Sequence, residues 1–308
     1  MMGREPTRRM AIPLSQLETW SGQGSVTQSK NTYATVKAAL ESANANYTDR
    51  NFKVFLQGSY GNDTNIWAES DVDVVIRYDG AFFQDIIQRP PDEQAAFHVA
   101  YPNNGTYPYS DFKAHVQQAL KSKFGDSVKL GGTKAIKIEA SGNRRNADVI
   151  VAFEFRRYYH FKSRQDDSHE MGMCFFLSDG TRVANYPDQH SDNLTTKHQA
   201  TSNKFKPMIR IFKNARSKMI ENGLIADGSA PSYYIEGLLY NVPNPQFVGD
   251  YQDIFLNILN WLYQTKDRTK FVTANEEYYL LRDNSHTCWA CADGENFINA
   301  AIKLWNDW

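Results

Sequence analysis

Cysteine is scarce: Cys174, Cys288 and Cys291 are the only three in 308 residues. Three thiols cannot build a disulfide scaffold, and they fit a reducing compartment. Neither sign of charge dominates, since 34 Lys and Arg oppose 35 Asp and Glu for a net charge of −1. Overall electrostatics therefore give no reason to expect a nucleic-acid or membrane-surface binder. No apolar run approaches the roughly 18–20 residues of a membrane helix. The basic opening, Met1 to Gln16, lacks an apolar stretch of signal-peptide length. The histidines form no H-x-E or H-E-x-x-H pattern, so hydrolytic zinc chemistry has no support, and no Walker-type G-x-x-x-x-G-K is present. No internal repeat is apparent. What remains is 41% hydrophobic and 22% charged, a balance that buries a core. A soluble, cytoplasmic, globular protein without a membrane partner is expected.

Ser15-Gln-Leu-Glu18 reads as a capping box that opens a first helix. A second helical stretch runs from about Thr27 to Ala45, with Val36, Leu40 and Ala43 on one side. Lys53–Leu56 and Val72–Tyr78 read as strands around a Gly-Ser turn, and Pro90-Pro91 breaks the polar stretch after them. Asp111–Phe124 reads as a helix, Lys134–Glu139 and Val149–Phe155 as strands, and the text after about Lys204 is mostly helical. An α+β protein in two parts is expected: a mixed part over 1–200 carrying N-terminal helices, and a helical lobe over 201–308.

Chemistry concentrates in Gln57-Gly58-Ser59-Tyr60 and Ser70-Asp71-Val72-Asp73-Val74-Val75-Ile76. Alternation along a strand puts Asp71 and Asp73 on one face and Val72, Val74 and Ile76 on the other, buried one. Two carboxylates on one face repel each other, and a hard divalent cation removes that repulsion. Asp148, at the start of the apolar stretch Val149-Ile-Val151, offers a third carboxylate, and a two-metal site so built suits in-line phosphoryl displacement. Gly58 permits close backbone approach, and Ser59 can donate to a phosphate. Between Lys197 and Lys218 stand seven Lys and Arg and no Asp or Glu; Lys206, Arg210 and Lys213 share one helix face, opposite Met208, Phe212, Ala215 and Met219. A cationic stripe of this kind can balance a triphosphate.

The order Gly-Ser, spacer, Asp-x-Asp, later Asp resembles the polymerase-β-type nucleotidyltransferase superfamily. The longer text Leu56-Gln-Gly-Ser-Tyr-Gly-Asn-Asp-Thr-Asn-Ile66, with Ala184-Asn-Tyr-Pro187, Phe205 to Arg216 and Pro231 to Asn241, is similar to the bacterial cyclic GMP-AMP synthase-like enzymes (CD-NTases), clade E. The resemblance covers most of the chain and is least clear after about 270. It implies a nucleotidyltransferase core and a helical C-terminal lobe with the active site in the cleft between them. Asp71, Asp73 and Asp148 would be catalytic and hold two Mg²⁺ ions, with Mn²⁺ as a substitute. Gly58, Ser59, Lys213 and Ser232 would contact the triphosphate, and Tyr233 would stack a base. Asn185 presents a donor and an acceptor that match uracil's edge, and its position is associated with uridine choice. The implied reaction joins two NTPs, UTP and ATP being the expected substrates, into cyclic UMP-UMP or cyclic UMP-AMP. A monomer needing no nucleic acid is expected, its product activating an effector in anti-phage (CBASS) signalling. The rivals are transfer of a nucleotide to RNA, an antibiotic or a protein, and a non-catalytic nucleic-acid-binding module. Cys288-Trp-Ala-Cys291 has a zinc-ligand spacing, but no fourth ligand lies nearby, so buried thiols are expected there.

Overall fold

The structure, a computed structural model, describes residues 5–6, 11–24, 26–68, 71–102 and 105–308. Contacts group the chain into two units, each discontinuous in sequence. One combines residues 27–57 with 70–187, the other residues 1–26, 58–69 and 188–308.

The first unit is a mixed sheet whose two central strands carry apolar runs on both faces. β1 (Phe52–Gln57) pairs antiparallel with β2 (Val72–Asp85), which runs parallel to β5 (Ala147–Ser163); β4 (Ile136–Ile138) and β3 (Val128–Lys129) complete the order β1-β2-β5-β4-β3. β6 (Asp166–Phe176) pairs with β5 and with β7 (Arg182–Asn185). Val72, Val74, Val75 and Ile76 of β2 and Val149, Ile150 and Val151 of β5 are all buried, as expected for the centre of a parallel pair. The β2–β5 register slips between Tyr78 and Phe82, which lets both strands run well beyond the stretches the alternation marks. Gly172 in β6 meets the end of β7 closely: a Cβ there would lie 2.5 Å from the Asn185 carbonyl oxygen.

Helices α2 (Val26–Leu40), α4 (Pro91–Ala100) and α5 (Tyr109–Phe124) belong to this unit. α2 stops at Leu40, short of the anticipated Ala45, and Ala43 is exposed rather than on its buried side. The chain turns back there, and the Tyr47 hydroxyl donates to the Leu40 carbonyl at 2.8 Å. Pro90 and Pro91 do not only interrupt the chain. Pro91 occupies the first position of α4, with Asp92 and Glu93 in the first turn, where a missing N–H costs nothing and acidic groups meet the helix dipole.

The second unit is helical: α1 (Leu14–Ser21), the single turn α3 (Gly58–Gly61), α6 (Pro187–Ala200), α7 (Phe205–Glu221), α8 (Ser232–Tyr240), α9 (Tyr251–Gln264) and α10 (Cys291–Asn306). The expected capping box is not used. α1 opens one residue before Ser15 on Pro13, whose carbonyl accepts from the Gln16 and Leu17 N–H groups, and no side chain caps it. The core of this unit gathers Leu17, Met208, Phe212, Ala215, Met219, Ile235, Phe255 and Trp305. The apolar face read for α7 is thus fully engaged. Cys174 is buried, whereas Cys288 and Cys291 are half-buried rather than enclosed. Among the described residues no helix is long and apolar enough to cross a membrane.

Candidate active site

In the sheet unit, strand register assembles a polar rung. Gln57 of β1 pairs with Asp73 of β2, Asp73 with Asp148 of β5, and Asp148 with Lys137 of β4. Residues directly opposite across a ladder share a face, so an amide, two carboxylates and an ammonium line up in one row. The next rung, Leu56, Val74, Val149 and Ile136, is wholly apolar, which marks the polar row as a break in an otherwise hydrophobic pattern. Asp71 lies just before β2 and accepts from the Asn146 amide at 3.1 Å. Burial pushes the Asp148 carboxyl up, Lys137 and Lys134 pull it down, and the Asp71 charge pushes it up again. The Gln57 Oε1 is buried without a hydrogen-bond partner.

The three aspartates therefore sit at one end of adjacent strands, as the alternation and spacing anticipate. Among the described residues no three His, Cys, Asp or Glu side chains are gathered into a ligand set as they stand. The chemistry of the donors nevertheless fits a hard cation. They are carboxylate oxygens, one partly desolvated and raised by its neighbour's charge, and a buried amide oxygen in the same row lacks a donor. Ser70, the first residue of the quoted Asp-x-Asp stretch, lies outside the described residues. Asn185 ends β7, and its Oδ1 accepts from the Tyr186 N–H at 2.9 Å.

In the helical unit, Gly58 adopts a left-handed φ of 71°, which glycine accommodates without strain, and Ser59 comes next in α3, half-buried. The Thr64 N–H donates to the Ser59 carbonyl at 2.9 Å. Ser232 opens α8 and accepts from Arg216 Nη1 at 3.0 Å. Tyr233 stacks on His190, ring centroids 5.0 Å apart and planes 18° from parallel, and its hydroxyl accepts from Asn275 at 3.0 Å. Burial pushes that phenol well above its usual range.

Lys206, Arg210 and Lys213 do share one face of α7, but the stripe is not open to solvent. Lys213 is 0% exposed. Its ammonium donates to the Thr64 carbonyl at 3.1 Å and lies 3.3 Å from Glu236 Oε1. The stripe meets protein groups here: the carboxylates of Asp63 and Glu236 and the backbone carbonyls of Ser21, Asp63 and Thr64. Glu236, 3% exposed, also accepts from the Thr64 hydroxyl at 2.5 Å and meets His190 Nε2 at 2.8 Å. Burial alone would raise its carboxyl; Lys213, His190 and Thr64 outweigh that and hold it at about 2. Sequence reasoning missed Glu236, Thr64 and His190. A signal existed in Ser232-Tyr-Tyr-Ile-Glu-Gly-Leu-Leu-Tyr240, where a lone acid interrupts an apolar helix. Gln57 and Lys137 were missed too, although Ile136-Lys-Ile138 alternates openly.

Residues 192–306 match the cGAS/DncV-like nucleotidyltransferase C-terminal helical domain. The chain is 36% identical over 300 residues to the cyclic UMP-AMP synthase of Rhodothermus marinus, covering 97% of this chain and 99% of that protein. It is 34% identical over 275 residues to the cyclic dipurine nucleotide synthase of Elizabethkingia meningoseptica, covering 88% and 91%. The solved structure of the Rhodothermus marinus CdnE c-UMP-AMP synthase with Apcpp and Upnpp superposes with a TM-score of 0.86 at 35% identity, over 96% of this chain and 97% of that one. Agreement at this level along nearly the whole length of both chains places this protein in the cGAS/DncV-like nucleotidyltransferases, the CD-NTases, among the CdnE enzymes.

Proposed function

We propose that this protein joins two NTPs, one of them UTP and the other UTP or ATP, into a cyclic dinucleotide that activates an effector in anti-phage signalling. The observation that carries the reading is the row Asp73–Asp148, with Asp71 beside it, at one end of an apolar parallel pair. In each of two steps a ribose hydroxyl oxygen bonds to the α-phosphorus of an NTP, the bond to the leaving pyrophosphate breaks, and the hydroxyl proton is lost. Asp71, Asp73 and Asp148 would hold the two Mg²⁺ ions, or Mn²⁺ in their place. The cations, when bound, supply activation of the attacking hydroxyl and stabilisation of the leaving pyrophosphate. Lys137 balances part of the negative charge of the row when the carboxylates stand alone. Gly58 and Ser59 receive the triphosphate, with Ser232 as a further contact. A direct phosphate contact from Lys213 requires its ammonium to exchange Glu236 and the Thr64 carbonyl for phosphate oxygens. Tyr233 stacks on His190 with one ring face, so a base would meet its other face. Asn185 keeps its amide NH₂ as a donor for uracil's edge, while its oxygen already accepts one bond from the Tyr186 N–H. The protein acts as a monomer and needs no nucleic acid.

The test is direct. Purified protein is incubated with Mg²⁺ and each pair of NTPs carrying an α-phosphate label, then treated with phosphatase. A phosphatase-resistant product holding two labelled phosphates per molecule, formed without any added acceptor, is expected. Label appearing only on an added RNA, protein or aminoglycoside would replace this reading with acceptor transfer.

A further inference from the structure

Three cations of α7, spaced i, i+4 and i+7, all end on the short segment just after the Gly-Ser turn. Lys206 Nζ lies 3.7 Å from Asp63 Oδ2. Arg210 Nη1 donates to the Asp63 carbonyl at 2.6 Å, and Lys213 to the Thr64 carbonyl at 3.1 Å. Asp63 has a left-handed φ of 58°. The far side of the segment is tied as well, since Gln23 Nε2 donates to Asn65 Oδ1 at 2.8 Å and the Gly24 N–H to the Asn65 carbonyl at 3.1 Å.

Thr64 is the junction of these bonds. Its N–H reaches the Ser59 carbonyl at 2.9 Å, its carbonyl takes Lys213, and its hydroxyl donates to Glu236 Oε1 at 2.5 Å. The second Glu236 oxygen meets His190. The Gly-Ser turn needs such support. α3 is a single turn, and its first residue, Gly58, has no Cβ to restrict its backbone. A carboxylate receiving three donors in a dry interior is a stiff anchor, because every bond in the network is strengthened by low dielectric and by its neighbours. Misplacing a reacting group by about 1 Å costs on the order of a hundred-fold in rate, so an anchor of this kind has a catalytic consequence.

We propose that Thr64 and Glu236 are positioning residues for nucleotidyl transfer. Through them α7 and α8 fix the turn that carries Ser59, and the cations of α7 grip the backbone of the segment that follows it. This rests on the reading of Ser59 as a triphosphate contact.

The variants are Thr64→Val, which keeps volume and removes the hydroxyl, Thr64→Ser, which restores it, and Glu236→Gln. Each is purified and compared for thermal midpoint, for steady-state cyclic product formation, and for affinity toward a non-hydrolysable ATP analogue by calorimetric titration. Thr64→Val is expected to raise KM and weaken analogue binding roughly ten-fold, the scale of one charge-assisted hydrogen bond, with the folded fraction retained. Thr64→Ser is expected to return both to within about two-fold of wild type. In the Glu236→Gln background Thr64→Val should cost less than in wild type, because the Thr64 hydroxyl then donates to a neutral amide oxygen in place of a carboxylate. If Glu236→Gln does not fold, the Val and Ser pair decides alone. Wild-type affinity in Thr64→Val, equal impairment in Thr64→Ser, or loss that only tracks the folded fraction overturns the proposal. A wild type that binds the analogue but forms no cyclic product would instead remove the proposed function, and the binding arm would still judge the turn.

Discussion

Asp148 shows how a residue proposed for the chemistry can be costly to the fold. It stands beside Asp73 in a parallel register, partly buried, with its carboxyl pushed up by burial and by Asp71. What rewards a second carboxylate there is Lys137 on the neighbouring strand, with a smaller contribution from Lys134. Asp148→Asn removes a poorly accommodated charge and keeps the shape, so its thermal midpoint should equal or exceed that of wild type, the usual trade at functional sites. Cyclic product should fall by roughly a thousand-fold or more, the several kcal/mol that metal-assisted charge stabilisation supplies. The double change Asp71→Asn with Asp73→Asn should behave alike. A folded double variant, checked by circular dichroism, that makes product at near wild-type rate would remove these residues from the site.

At the scale of the element, α7 shows what a sequence can and cannot tell. Its two faces were legible, because 3.6-residue periodicity separates Met208, Phe212, Ala215 and Met219 from Lys206, Arg210 and Lys213 whatever the helix packs against. What the cationic face meets was not legible. Its partners, Asp63, the Thr64 carbonyl and Glu236, come from distant segments, and a backbone carbonyl leaves no mark in composition. The strands were placed by their apolar text, but their lengths were not, since β2 and β5 continue past a register slip through Phe82 and Phe83. The enclosed pair can be probed in two ways. Lys213→Met leaves the Glu236 charge buried without its cation, which should cost about 3–5 kcal/mol in denaturant unfolding. That is a stability effect, where an open stripe would have lost only nucleotide affinity. The second probe is acid. Glu236 is held at about 2 against an ordinary value of 4.5. Its contribution to stability is therefore full above about pH 4.5 and fades as pH falls toward about 2. The stability gap between wild type and Glu236→Gln should narrow over that window when unfolding is measured as a function of pH. A gap that stays constant from about pH 4.5 down to about pH 2 would mean that folding does not lower the Glu236 carboxyl below its ordinary value.

For the whole molecule, the least legible feature is that residues 58–69 belong with the helices although strands flank them on both sides. Hydrophobic period assigns local structure, and it carries no information about which unit a short polar segment joins. The same limit applies to the choice of bases. The chain is 36% identical to a cyclic UMP-AMP synthase and 34% identical to a cyclic dipurine synthase, a difference too small for overall similarity to decide between pyrimidine and purine. Selection must then rest on a few side chains, of which Asn185 is the one proposed. Asn185 ends β7: Gly172 allows β6 to approach its carbonyl closely, and its own side chain is held by the Tyr186 N–H. With the oxygen held, the amide NH₂ remains a donor that a uracil carbonyl oxygen can accept. If Asn185 reads uridine as proposed, wild type offered an equimolar mixture of the four NTPs should place uridine in at least one position of the product. Asn185→Ser shortens the reach and loses the NH₂, at a cost of about 1–3 kcal/mol by analogy with side-chain readout of bases in DNA. That shifts the ratio of uridine to purine in the product by roughly 5- to 150-fold, read by mass spectrometry, while total turnover survives. Purine-only product from wild type would exclude uridine selection, and an unchanged ratio in Asn185→Ser would move base reading to another residue.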